Sequence, residues 1–153
     1  MARLGVRCSP DKFAYVLVKG SRSEPELLAA DTASMPRDVS RACQLNWVRK
    51  EITDLVSKHE VRVCRLKAIE PLARKTMSLL HRAEVEGVVQ SALYAAGCHQ
   101  IECLTKTQVK ARLGFSGPAG EVHSLLSTGP FAQLHGTDLE DAALAAWCAL
   151  EDD

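Results

Sequence analysis

The chain has 153 residues, with 19 Lys plus Arg against 19 Asp plus Glu and 46% apolar residues. That composition excludes a disordered or fibrous chain and fits a single globular domain spanning 1–153. A formal net charge of zero excludes an overtly basic nucleic-acid binder, but not a local basic patch.

No stretch approaches the roughly 18 consecutive apolar residues of a membrane span, and Met1–Val6 lacks a secretory pattern, so the expected location is cytoplasmic. Six cysteines occur with no Cys-x-x-Cys pair, mostly among apolar neighbours. They read as free thiols packing as small hydrophobes rather than as a zinc or disulfide framework.

Residues 3–8 and 13–18 read as strands joined by the turn Cys8-Ser-Pro-Asp-Lys12, and Glu26–Ala30 as a third strand of an antiparallel meander. Pro36 and Asp38 introduce a helix that stops near His59, with Asp38 a candidate N-cap. Its apolar stripe is Leu45, Val48, Ile52, Leu55 and Val56. Val61–Ile69 reads as a strand with Arg62, Arg65 and Lys67 interleaved. A loop from Glu70 to Met77 precedes a long helix over 78–96 that Gly97 ends. Ile101–Thr105 is a short strand and Gln108–Leu113 a short helix closed by Gly114. A Gly/Pro-rich loop over 114–120 and a short helix near 120–126 follow. The last helix is expected to open on a capping box, Thr137-Asp-Leu-Glu140, and to run to Leu150. Three strands before the first helix and alternation afterwards predict an α/β fold with a mixed five-stranded sheet and helices on both faces.

Several strings occur in the order of a known fold. They are Ala68-Ile-Glu70 at a strand end, Arg82-Ala-Glu-Val-Glu-Gly87 in the long helix, Leu104-Thr-Lys-Thr-Gln-Val-Lys110 after the next strand, and Asp138-Leu-Glu-Asp-Ala142 at the last helix. Together with the element order they resemble the RuvC resolvase branch of the ribonuclease H-like superfamily. The resemblance implies a two-magnesium nuclease site, with Glu70, Asp138 and Asp141 as its metal-binding and catalytic carboxylates. It also implies a homodimer acting on branched or single-stranded nucleic acid. Asp138 and Asp141 are three apart and share a helix face, although Asp138 and Glu140 equally suit the positive end of any helix dipole.

The resemblance fails at one position: Arg7 stands where the family has its first-strand Asp. That change removes a ligand and puts a cation where cations would bind. Arg7 is therefore expected to pair with Glu70, Asp138 or Asp141 in place of metal, unless Asp11 or Asp31 reaches the site by a register shift. Basic residues cluster over 62–82 and 106–112, and the resemblance sets Arg74, Lys75, Lys106 and Lys110 at the rim as candidate phosphate contacts. A solvated face balancing the acidic Glu151–Asp153 is the plainer reading. The five histidines show no ligand spacing, and Trp47 and Trp147 read as packing residues. The functional expectation is a RuvC-like protein with a degenerate metal site, serving as a catalytically impaired nucleic-acid-associated or protein-interaction module. The alternative is an active magnesium-dependent endonuclease or resolvase.

Overall fold

The computed structural model describes residues 1–153. Alternation along the first two strands decides the layering. In β1 (Arg3–Cys8), Leu4, Val6 and Cys8 face one side and Arg3, Gly5 and Arg7 the other. In β2 (Lys12–Gly20), Phe13 and Leu17 join the first side, and Ala14, Val16 and Val18 the second. β3 (Pro25–Ser34) extends beyond the expected Ala30 because its pairing with β2 continues to Lys12↔Ser34. β4 (Val63–Lys67) and β5 (Gln100–Leu104) add in parallel on the other edge, giving the order β3-β2-β1-β4-β5. The five-stranded mixed α/β sheet is as expected, with β4 shorter than 61–69.

The first face is covered by α1 (Arg41–His59) and α2 (Met77–Ala95). Val48, Ile52 and Val56 pack with Val85, Val89 and Leu93 over Leu4, Val6 and Phe13. Ser40, not Asp38, caps α1: its side chain accepts from the Cys43 N–H, while Asp38 adopts a left-handed turn with φ 59°. α2 starts after Thr76, whose side chain accepts from the Leu79 N–H, and Gly97 at φ 101° follows its end. No helix is long and apolar enough to cross a membrane.

The second face carries α3 (Lys106–Leu113), two 3-10 segments (Ala119–Ser127 and Gly129–Phe131) and α4 (Thr137–Cys148). The expected helix near 120–126 is the first 3-10 segment. α3 begins two residues earlier than expected because Thr105 and Gln108 form a capping box. The box expected at Thr137 is not formed: Gly136, at φ 97°, occupies the cap position with no side-chain bond, and Thr137 is already helical. Asp138 is thereby free to turn inward.

α4 lies directly against β1. Its Ala142, Ala143, Ala145 and Ala146 are buried, and a Cβ added at Gly5 would fall 2.0 Å from the Ala142 carbonyl oxygen and 2.3 Å from the Ala146 nitrogen. Glycine at the middle of β1 and alanines along α4 together allow this approach. α4 therefore begins over Arg7, crosses Gly5, and delivers its following residues to the region of Arg3. Trp47 packs on Phe13 at 6.4 Å and Trp147 on Phe131 at 5.5 Å, both as packing residues. All six cysteines are free, and four of them, Cys8, Cys64, Cys98 and Cys148, are buried. Burial raises Cys98 and Cys103 to about 11 and Cys148 to about 12, so these thiols remain protonated near neutrality.

Candidate functional site

Parallel strands direct their C-terminal ends to one edge of the sheet, where α/β proteins commonly bind ligands. Here that edge carries Arg7 from β1, Lys67 from β4, Glu70 just beyond it, Arg82 and Glu86 from α2, and Asp138 and Asp141 from α4.

Arg7 is at the centre. Its Nε lies 3.5 Å from Asp138 Oδ1 and 3.5 Å from Asp141 Oδ2, balancing both charges while hydrogen-bonding neither. Its Nη1 donates to the Cys8 carbonyl and, at 2.9 Å, to Ser9 Oγ. Ser9 in turn donates to Asp138 Oδ2 at 3.1 Å. The Asp141 side chain is 7% exposed, so its charge must be compensated inside the protein. Its second oxygen is in contact with His123 Nε2 at 2.7 Å, and the other nitrogen of that ring lies 3.6 Å from Glu140 Oε2. At about 3.5 Å and an effective dielectric of 20, each Arg7–carboxylate contact is worth about 5 kcal/mol before desolvation is subtracted.

Glu70 does not join Arg7. Its Oε1 accepts from Lys67 Nζ at 2.9 Å and from the Lys106 backbone N–H at 2.9 Å. Burial alone would raise this carboxyl, but the Lys67 ammonium and the Lys106 N–H outweigh it and hold it below the ordinary carboxylate value. Lys67 is itself buried, with its ammonium also on the Ala68 carbonyl at 2.7 Å.

Neither substitute carboxylate reaches the centre. β1 and β2 pair without a shift, Arg7 opposite Ala14. Asp11 is exposed in the turn between them. Asp31 pairs with Tyr15 two strands away and lies beside Glu51 and Lys58 on the α1 side.

Of the expected basic contacts, Arg74 lines a cleft with Arg7, Ser9, Thr76, Ser78, Arg82 and Asp138. Lys75 is exposed beside it in sequence. Lys106 contributes its backbone N–H to Glu70, and Lys110 lies one turn along α3. Arg82 donates to the Lys67 carbonyl at 3.1 Å, and burial together with Arg7 lowers its pKa.

Glu86, 8% exposed, lies behind the cleft with one oxygen 3.9 Å from Arg82 Nε and no hydrogen bond on it. Burial raises its carboxyl despite Arg82. A raised acid favours the fold while protonated, and that contribution is lost as pH climbs from the ordinary 4.5 through the higher folded value. Glu86→Gln cannot ionise, so its stability relative to the unsubstituted chain should increase between pH 4.5 and 8. Urea midpoints measured across that range check this, and a constant difference contradicts it.

The donor set does not suit the two magnesium ions that the family resemblance implies. Both oxygens of Asp138 and both of Asp141 face protein partners, Glu70 is bound to Lys67, and a divalent ion about 4 Å from Arg7 would be repelled by about 8 kcal/mol at a dielectric of 20. No group of three or more His, Cys, Asp or Glu side chains converges to hold a metal. Lys67, Ser9, Glu86 and His123 are members that sequence reasoning missed. Lys67 carried only a weak signal, as a lysine three residues before Glu70 in a strand where Arg62 and Arg65 are also interleaved.

No protein-family model matches the chain, and no curated protein matches it. Solved structures do. Thermus thermophilus RuvC in complex with Holliday junction substrate is similar with a TM-score of 0.79 at 14% identity, over 97% of this chain and 91% of that one. The yeast mitochondrial Holliday junction resolvase gives 0.63 at 12% identity, covering 95% and 76%. The fowlpox virus resolvase with substrate Holliday junction DNA gives 0.52 at 8%, covering 94% of each. The chain shares the α/β, ribonuclease H-like fold of these structures.

Proposed function

We propose that this chain is a RuvC-like protein whose metal site has been replaced by an internal ion pair, leaving a catalytically impaired module that associates with nucleic acid. The observation that carries the reading is the Arg7 guanidinium 3.5 Å from both Asp138 and Asp141. Arg7 neutralises those carboxylates without a metal, and so removes the ions that would activate water and stabilise the leaving oxygen.

Phosphate binding does not need those ions. The cleft beside Arg7 is lined by Arg74 and Arg82, with Thr76 and Ser78 as hydroxyl donors and Asp138 the one carboxylate on its wall; Asp141 and Glu86 stand behind it against Arg7 and Arg82, so Arg74 is the guanidinium most available to phosphate. The named complexes of RuvC and the fowlpox resolvase with Holliday junctions make branched DNA the first substrate to test.

The experiment is binding of a fluorescent four-way DNA junction with chelator present, across 50 to 200 mM salt. Affinity should fall linearly on a log–log scale, and Arg74→Ala with Lys75→Ala together should reduce the slope by up to about two. No binding at low salt would remove the nucleic-acid reading and leave a protein-interaction module. Junction cleavage in manganese that Glu70→Ala abolishes would instead establish the active endonuclease.

A further inference from the structure

The opposite end of the sheet carries a second, separate charge cluster. Arg3 projects from the start of β1 and Arg65 from the middle of β4, both on the α4 face; Arg112 comes from the last turn of α3, and Arg22 from the β2–β3 loop. These four arginines line one pocket with Gln100, Cys148 and Leu150. Arg3 and Arg65 side chains are 17% and 16% exposed, and the Nε atoms of Arg22 and Arg65 are buried without a hydrogen-bond partner. Glu102 answers part of this charge, bridging Arg65 at 3.4 Å and Arg112 at 2.6 Å.

The rest is answered by the residues that leave α4. The Arg22 N–H donates to the Glu151 carbonyl at 2.9 Å, the Arg22 carbonyl accepts from Trp147 Nε1 at 2.8 Å, and Arg22 Nη2 donates to the Leu150 carbonyl at 2.8 Å. The backbone is thus pinned across the pocket. The side chains it carries are acidic: Glu151 reaches Arg3 at 3.1 Å and Asp152 reaches Arg22 at 2.9 Å. Both carboxylates are mostly in solvent, at 84% and 80% exposure, so each contact is weak and readily exchanged.

We propose that this pocket is an anion site for phosphate groups, and that Glu151 and Asp152 compete for its arginines from the rim. When those two side chains swing out, Glu102 is the one carboxylate left against four guanidiniums, of which Arg22 also donates to the Arg112 and Leu150 carbonyls and Arg65 to those of Cys64 and Gln100. Planar guanidinium forks match phosphate oxygens in pairs. With Glu151 and Asp152 in place the pocket has an open volume of about 240 Å³, below that of a drug-sized ligand site and enough for one or two phosphate groups. The main-chain anchors stay in place, so exchange needs only two side-chain rotations. Gly5 and the length of α4 separate this pocket from the Arg7 cleft, and the inference stands whether or not that cleft binds nucleic acid.

The test is calorimetric titration with inorganic pyrophosphate at low salt. Glu151→Gln with Asp152→Asn should bind at least tenfold more tightly than the unsubstituted chain. Adding Arg3→Gln, whose guanidinium pairs with Glu151 at the rim, should cancel at least fivefold of that gain. Lys50→Ala, exposed on α1 across the sheet, should leave the gain unchanged. The proposal is overturned by equal affinity with and without the two acidic side chains, by no effect of Arg3→Gln, or by loss of the gain in Lys50→Ala. An eight-residue thymidine oligonucleotide then separates the sources. Competition with pyrophosphate assigns the site to strand phosphates, and its absence assigns it to a free phosphate ligand.

Discussion

Replacing Arg7 by methionine should cost about 3 kcal/mol of unfolding free energy at pH 7, because it leaves two carboxylates facing each other without their cation. Asp141 carries most of that cost, since its side chain is 7% exposed and cannot turn to water. Methionine keeps comparable apolar bulk, so the loss reports charge rather than a cavity. A double-mutant cycle with Asp141→Asn isolates the pair and should give a coupling of about 1–3 kcal/mol. Urea denaturation of the four proteins measures it. A single-variant loss below about 0.5 kcal/mol with no coupling would mean that the ion pair is incidental.

Gly5→Val should be more damaging still, removing more than about 4 kcal/mol or abolishing cooperative folding. The clash is with backbone: a Cβ would sit 2.0 Å from the Ala142 oxygen and 2.3 Å from the Ala146 nitrogen. No side-chain rotation relieves it, and α4 must lift from β1. Lifting α4 withdraws Asp138 and Asp141 from Arg7 at one end and Glu151 from Arg3 at the other. Gly5→Ala tests the same contact with the smallest possible group. Thermal unfolding of Gly5→Ala within about 1 kcal/mol of the unsubstituted chain would contradict the packing described.

The two substitutions mark what was legible before the structure. Residues 3–8 were legible as a strand, and element order predicted the mixed sheet; which face Leu4, Val6 and Cys8 share came from the fold. Asp138 and Asp141 were legible as a pair by their spacing on one helix. The N-terminus of that helix is not legible, because Thr137-Asp-Leu-Glu140 has the capping-box pattern without forming the box. A glycine with positive φ at 136 takes the cap position instead, and no local pattern reveals that choice. The real box at Thr105 and Gln108 is hidden because Thr105 reads as the last residue of a strand, whereas β5 ends at Leu104 and Thr105 caps α3.

Pairing of charges was the least legible part. Three carboxylates were candidate partners for Arg7, and only their positions in space divide them between Arg7 and Lys67. Lys67 lies in an alternating strand where a lysine reads as solvated, yet it is buried at the strand end under Glu70. His123 is 18 residues from Asp141 and comes to it through a 3-10 segment, a contact no spacing rule encodes. Likewise, the acidic residues after α4 balance the chain's total charge on paper. In the fold they lie across arginines drawn from four separate elements.

On the proposed reading, Arg7 stands where a RuvC-like site would hold its ions. Calorimetric titration of manganese into the unsubstituted chain, beside Arg7→Asp, tests it most directly. The account predicts no saturable binding to the unsubstituted chain, and binding in Arg7→Asp once a carboxylate replaces the guanidinium beside Asp138 and Asp141. Saturable manganese binding to the unsubstituted chain that Asp141→Asn removes would contradict it.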